Sequence, residues 1–589
     1  MTDDNQLYNL SRRKLLAGLG TVGLASAGAG LGTSAFFSDR ESFTNNSLRA
    51  GELDLLVDWQ QTYDGPAESA VYGSAGRPYV NAYPDSDGDG VQDDVPQSFV
   101  VWAKRNGYDL NTAAGQSAAV AAFKDAFFAD LGAGNDWEAP LVALDDVKPG
   151  DTGEVTLSLH FFDNPAYIRM LGDLTGEAEN GLTEPEAEVD STPDTGELGE
   201  SVDVLVWNDD GDNVYEPRNG QDVDVVVLFD TSCSMEWADS SAGCNANENT
   251  PAPNKFPQAQ AGAKALFEEL LAEPDVSGLG LPADMIPDAN VRVGLVEYGN
   301  DTGVKVPLGD DLDALRNEVD AMSPGNSTLL PTALEEAIDM LEGSDADEKC
   351  VVVIGDGQPH DTGNNEPGSG SPVNPLSGVT YDDWGATYSV QLTEYLEDVV
   401  GANVLTVHYE VEPEVSLATG IDTAYAQGTA PNYDIVDGEI QTIELFEIMA
   451  SPVSGDPLDI NRLSFAADRD RLVCVLHRIA HLCAGEVPLF YGSLDGALEA
   501  LDDGLLLVGN PRVAADPESD APVRECLEWS CTYYVGFEWA VDPAVGNEIQ
   551  SDSLEFSLGF EAEQCRHNDA PFESEDAEPA GQEVTQTAD

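Results

Sequence analysis

The sequence predicts a multidomain protein in which a doubly wound α/β domain sits between β-rich segments, and three observations carry that reading. Residues 222–235, DVDVVVLFDTSCSM, form an apolar run that ends in Asp-x-Ser-x-Ser. A strand buried on both faces of a parallel sheet reads as such a continuous run, and its carboxyl end is where open α/β sheets place ligands. Downstream, helix-period and strand-type segments alternate as far as residue 483, the pattern of a parallel sheet with covering helices. On either side of this block lie alternating apolar patterns, such as Leu53, Leu55 and Val57, which read as half-buried strands.

Composition narrows the partners. At roughly 150 residues per domain, 589 residues hold about four units. The formal charge of -85, from 110 Asp and Glu against 25 Lys and Arg, repels nucleic acid and anionic membranes. Such an excess is tolerable where salt screens it, since the Debye length falls to about 3 Å at molar salt. With 42% hydrophobic residues the chain is expected to fold, and the charge reads as the surface of an extreme halophile.

The elements follow in order. Ser11-Arg12-Arg13-Lys14-Leu15-Leu16 opens a Gly/Ala-rich apolar run to Ala35. Residues 1–35 resemble a twin-arginine export signal, with Thr33-Ser34-Ala35 offering small residues for cleavage; an uncleaved membrane anchor is the other reading. No second apolar run of about 18 residues occurs, so the mature chain is expected outside the cytoplasm without a transmembrane span. Eight cysteines suit that compartment. The guessed pairs are Cys233–Cys244 and Cys474–Cys483, with Cys526, Cys531 and Cys565 sharing one further partner. Cys350 has no local partner, and a buried free thiol is its alternative.

Residues 36–219 and 485–567 contain Phe37-Ser38-Asp39, Ala50-Gly51-Glu52-Leu53-Asp54-Leu55, Lys148-Pro149-Gly150-Asp151 before an alternating strand, and the late segment TYYVGFEWAV. These features resemble the TasA/camelysin family of secreted surface and biofilm-fibre proteins. The resemblance implies a jelly-roll-like β-sandwich interrupted by a long insertion, residues 220–484, whose ends leave adjacent strands or loops. A smaller insertion, about 76–137, carries a helical pattern at residues 117–131. The acidic tail, 568–589, is expected to be disordered. Inside the long insertion the helices are expected around 255–273, 328–343, 384–401 and 470–483, and the strands around 291–299, 350–357 and 402–411.

The chemistry gathers at strand ends. Asp230, Ser232 and Ser234 follow the first strand, Thr328 precedes a helix in PGNSTLLPTALEEAIDML, and Asp356 ends KCVVVIGDGQP. Together they form an oxygen-only set for a hard divalent cation. This order resembles the von Willebrand factor A domain family and its metal-ion-dependent adhesion site. The resemblance implies an octahedral Mg²⁺ or Mn²⁺ held by Ser232, Ser234 and Thr328, with Asp230 and Asp356 acting mainly through water. A partner's Asp or Glu would complete the shell. Cys233 departs from the family pattern, which commonly has Gly there.

Two further loops are candidate Ca²⁺ sites. Asp85, Asp87, Asp89, Val91 and Asp93 resemble the first half of an EF-hand-like loop, with Gly90 at its turn. Asn208, Asp210, Asp212, Val214 and Glu216 repeat the spacing, although Asn213 stands in place of the glycine. His477 and His481 lie four apart, but Arg478 stands where a zincin needs Glu, so a metallopeptidase is disfavoured and no catalytic residue is assigned. Asn45, Asn300 and Asn326 begin glycosylation sequons.

The sequence therefore predicts an extracellular, metal-dependent adhesion or protein-binding surface protein and not an enzyme. The alternative is a structural subunit of a TasA-like surface filament, joined to its neighbours by strand addition from the segment after Ala35.

Overall fold

In this computed structural model the described residues are 54–64, 79–129, 147–236, 256–356, 384–409, 463–507 and 526–572, apart from short gaps, with 141, 446 and 449–451 besides. The export signal, the candidate donor segment, Cys244 and the three sequon asparagines lie outside them.

The first and last thirds of the chain share two antiparallel sheets. The strands before the insertion are β1 (Asp54–Asp64), β2 (Tyr79–Tyr83), β3 (Thr152–Phe162), β4 (Ala166–Ala178) and β5 (Val202–Asp209), with helix α1 (Ala113–Phe127) between β2 and β3. Those after it are β12 (Val487–Ser493), β13 (Leu505–Leu507), β14 (Thr532–Val541) and β15 (Ser553–Gln564). One sheet has the order β12-β5-β14-β3-β1-β2 and the other β13-β4-β15. Alternate residues of both sheets, among them Trp59, Leu157, Phe161, Met170, Val204 and Phe537, point into one core. The Pro149-Gly150 turn leads into β3, with the Asp151 amide donating to the Lys148 carbonyl at 2.9 Å and Gly150 at φ 94°.

The segment expected as a smaller insertion is built into this sandwich. Its first residues are β2, the edge strand that pairs Tyr83 with Trp59 of β1. Its helix starts at the Thr112 cap, which accepts from the Gly115 amide at 3.1 Å, and sends Ala119 and Phe123 into the same core. Phe123 meets Phe162 of β3 edge-on at 6.0 Å. Aromatic burial of this kind makes the segment part of the core and not an appendage.

Residues 222–484 hold the α/β domain. Its elements are β6 (Asp222–Asp230), α2 (Phe256–Leu270), β7 (Asn290–Tyr298), β8 (Gly303–Gly309), α3 (Leu312–Ala321) and α4 (Leu330–Leu341). They continue with β9 (Glu348–Gly355), α5 (Trp384–Tyr395), β10 (Asn403–Tyr409), β11 (Ser464–Ala467) and α6 (Leu472–Ala484). The sheet order is β11-β10-β9-β6-β7-β8, parallel throughout except for the antiparallel edge strand β8. β6 lies at the centre because both its faces are apolar. Val223, Val225, Val227 and Phe229 pack under α2, α3 and α6, while Val226 and Leu228 pack under α4 and α5. Each such side chain contributes about 1.5–3 kcal/mol on burial, which fixes the strand more firmly than any local propensity. Helices α2 and α6 touch at Gly262, where a Cβ would lie 2.8 Å from Leu472.

The two crossings between the parts leave neighbouring strands. β5 ends at Asp209 and β12 begins at Val487, and Val487 pairs with Asn208.

The guessed Cys474–Cys483 pair does not form. Cys474 and Cys483 both lie on α6, nine residues apart, about 13 Å along a helix, beyond the roughly 7 Å that a disulfide spans. Cys474 bonds instead to Cys531, just before β14, tying the α/β domain to the sandwich. Cys483 bonds to Cys350 at the start of β9, so Cys350 is no free thiol. Cys526 bonds to Cys565. Cys233 is also disulfide-bonded. At the start of the acidic tail, Asn568 and Phe572 fold back: the Asn568 side chain and the Phe572 amide both donate to Glu563 of β15.

Candidate metal centre

The centre forms where β6 and β9 stop. Asp230 is the last residue of β6, and its Oδ1 accepts from the Ser232 amide at 2.6 Å, curling the next three residues into a tight turn. That turn sets Ser232 Oγ 2.8 Å from Ser234 Oγ, and Ser234 Oγ donates to Asp356 Oδ1 at 2.7 Å. Asp356 directly follows β9, beside Asp230 on the adjacent parallel strand. Asp230, Ser232 and Asp356 are each buried, at 0%, 2% and 2% exposure. Thr328 is buried two residues before α4, whose second residue, Pro331, presets the first helical turn. Four predicted residues thus form one hydrogen-bonded cluster, and the fifth, Thr328, lies on the loop leading to α4, three residues after Gly325, whose amide donates to the Thr231 carbonyl.

Several supporting residues gave no motif in the sequence. The turn residue Thr231 is held by its amide on the Tyr298 carbonyl at 2.8 Å, its hydroxyl on Glu297 Oε1 at 2.7 Å, and its carbonyl on the Gly325 amide at 2.8 Å. Lys305 from β8 pairs with Glu297 at 3.0 Å. Gly299 has φ +139°, and a Cβ there would lie 2.4 Å from the Thr231 carbonyl carbon. The signal available was the run Glu297-Tyr298-Gly299 at the end of the neighbouring strand, which becomes meaningful only once β7 is placed beside β6.

Electrostatically the cluster suits a cation. Burial, then the adjacent Asp356 charge, pushes Asp230 up to about 8. Two buried carboxylates and two hydroxyls, brought within hydrogen-bond reach of one another, are a hard-cation donor set. The residues present therefore fit a divalent ion, with Asp230, Ser232, Ser234, Asp356 and Thr328 as its holders. Such an ion would supply positive charge at the carboxyl end of the parallel strands.

The other predicted sites are placed differently. In the first loop Asp85 and Val91 are described, whereas Asp87, Asp89 and Asp93 lie outside the described residues. Asp85 accepts from the amides of Gly88 at 2.7 Å and Gly90 at 3.0 Å, and Asp94 accepts from the Ser86 amide and hydroxyl. In the second loop Asp209 joins Asp210 and Asp212, their carboxylates all within 4.8 Å of one another. Glu216 instead takes Arg218 at 2.8 Å, and Val214 donates its amide to Asp212 Oδ1 at 2.9 Å. Burial, then Asp209, pushes Asp210 to about 7, and burial, then Asp210, pushes Asp212 to about 9. His477 and His481 both turn to the fully buried Glu269 of α2.

Residues 225–358 match the von Willebrand factor type A domain family. No curated protein matches the chain. Among solved structures, the vWF domain of the type V pili tip protein Mfa5 from Porphyromonas gingivalis is 14% identical, covered over 44% of this chain and 95% of that one, at a TM-score of 0.28. Proximal thread matrix protein 1 from the mussel byssus, with a zinc-occupied MIDAS motif, is 13% identical over 48% of each chain, at a TM-score of 0.26. An aerotolerance-related membrane protein from Bacteroides fragilis is 14% identical over 44% of this chain and 98% of that one, at a TM-score of 0.24. At such scores the family match and the strand-end geometry, not superposition, identify a von Willebrand factor A domain within a multidomain α/β protein. No helix among the described residues is long and apolar enough to cross a membrane.

Proposed function

We propose that this chain is an extracellular adhesion or protein-binding surface protein of a halophile, in which the von Willebrand factor A domain holds Mg²⁺ or Mn²⁺ and a partner's Asp or Glu completes the ion's shell. The observation that carries the reading is the hydrogen-bonded chain Ser232–Ser234–Asp356 beside the buried Asp230 at the carboxyl edge of the parallel sheet. The chain's own residues hold the cation, keep its flank dry and leave an oxygen position for the ligand. The Asp85 loop is a further candidate Ca²⁺ site within this reading.

The test is a Mn²⁺ titration of the full mature chain in molar KCl, followed by Mn²⁺-dependent capture of synthetic peptides bearing a single Asp or Glu. Asp230→Ala and Asp356→Ala should each lose both signals while the sandwich keeps its thermal transition. Unchanged Mn²⁺ binding in both variants rejects the mechanism.

A filament subunit related to TasA proteins is the second reading, favoured by one observation. Among the described residues β15, twelve residues long, is paired only with β4. An edge of that length can accept a strand from a neighbouring copy. We assign His477 and His481 a structural rather than catalytic role, because both engage Glu269 in the core between α2 and α6.

A further inference from the structure

The loop between β5 and β6 meets the start of β12, so both crossings into the inserted domain run through one place. The Glu486 amide donates to the Glu216 carbonyl at 3.0 Å. Its carboxylate accepts in return from the amides of Asp210, at 2.8 Å, and Glu216, at 2.9 Å. Against this stitch stand the three clustered carboxylates of Asp209, Asp210 and Asp212. Asp209, Asp210 and Glu486 are only 6%, 3% and 1% exposed. Asp210 Oδ1 is buried and, among the described residues, has no hydrogen-bond partner.

The cations nearby do not balance these charges. Arg478 reaches the loop beside Gly211 and stacks on Tyr534 at 4.8 Å. Arg218 is taken by Glu216 and Glu348. Arg478 and Arg218 face four carboxylates between them, and burying a charge is costly unless it is balanced. Carboxylates that converge from one loop, with an oxygen left over on a buried member, are what a large hard cation with six to eight oxygen ligands requires.

We propose that Asp209, Asp210 and Asp212 form a calcium-class cation site at the root of the inserted domain, positioned by Glu486, and that its ion locks the two crossings together. The site differs from the regular loop reading of the sequence. It adds Asp209, gives up Glu216 to Arg218, and gains Glu486 from a position 276 residues away from Asp210. It does not depend on the adhesive function.

The experiment counts Ca²⁺ bound by the full mature chain in molar KCl, by equilibrium dialysis, in an Asp230→Ala background that removes the strand-end centre. Adding Asp210→Asn and Asp212→Asn should remove one Ca²⁺ per chain, and an equal count with and without them overturns the proposal. Should those variants fail to fold, hydrogen exchange on the unsubstituted chain decides. Ca²⁺ should slow amide exchange at residues 209–216 and 485–487 by at least about tenfold relative to chelator. Equal exchange there in Ca²⁺ and chelator overturns the site.

Discussion

Replacing Asp230 by Asn should stabilise the metal-free protein at high pH and abolish its response to Mg²⁺. Burial, and then the neighbouring Asp356, pushes the Asp230 carboxyl up from 3.8 to about 8 in the fold. Between those values the folded chain binds more protons than the unfolded one, so metal-free stability falls as pH rises. At about 1.4 kcal/mol per pH unit, holding the carboxylate ionised above its folded value costs roughly 6 kcal/mol as a ceiling. For a domain of this size that is on the order of 10 °C in melting temperature. Asn keeps the shape and the acceptor for the Ser232 amide but carries no charge.

The assay is calorimetry in molar KCl near pH 5 and near pH 9, with chelator or with Mg²⁺. With chelator, the gap between the variant and the parent should open toward high pH. With Mg²⁺, the parent should recover while the variant does not move. Other buried acids, Asp210 and Asp212 among them, titrate in both proteins and cancel in the comparison. A gap that stays constant across pH, or a variant still stabilised by Mg²⁺, refutes the reasoning.

Other outcomes follow from the packing. Gly299→Ala should weaken Mn²⁺ binding at least about tenfold, roughly 1.4 kcal/mol, because its Cβ would displace Thr231; electron paramagnetic resonance of free Mn²⁺ measures it. Non-reducing peptide mapping should recover Cys350–Cys483, Cys474–Cys531 and Cys526–Cys565, and Cys350→Ala with Cys483→Ala should lower domain stability by about 2–4 kcal/mol in denaturant melts. Burial pushes the Glu269 carboxyl up, but His477 and His481 outweigh it and hold the group below its ordinary value. That stability is present above the unfolded value of 4.5 and is lost as pH falls through the folded one. Glu269→Gln should therefore destabilise the chain near neutral pH and flatten this acid limb, read by circular dichroism from pH 7 downward.

What could be read from the sequence depended on the range of the contacts. β6 was legible because burial on both faces writes an unbroken apolar run, and Asp230, Ser232 and Ser234 follow it within four residues. Thr328 and Asp356 could be added because each adjoins a helix or strand with its own pattern. The disulfides could not, since Cys350 and Cys483 are 133 residues apart and meet only after α6 packs on the sheet. Edge strands such as β2 and β11, five and four residues long, carry too few alternations to announce themselves. Glu486 looked like one acid among many until β12 paired with β5 and brought it against Asp210.

The route by which the inserted domain is attached sets how it would bear load. The chain enters at the amino end of β6, and the nine residues of that strand put Asp230 about 26 Å farther along the sheet. A ligand held at Asp230 would pull lengthwise on β6 and β9, the direction in which parallel strands shear together rather than peel apart. At the far end the tension would divide between two backbone crossings and the Cys474–Cys531 bond, so a break in one crossing would still leave the domain moored to the sandwich.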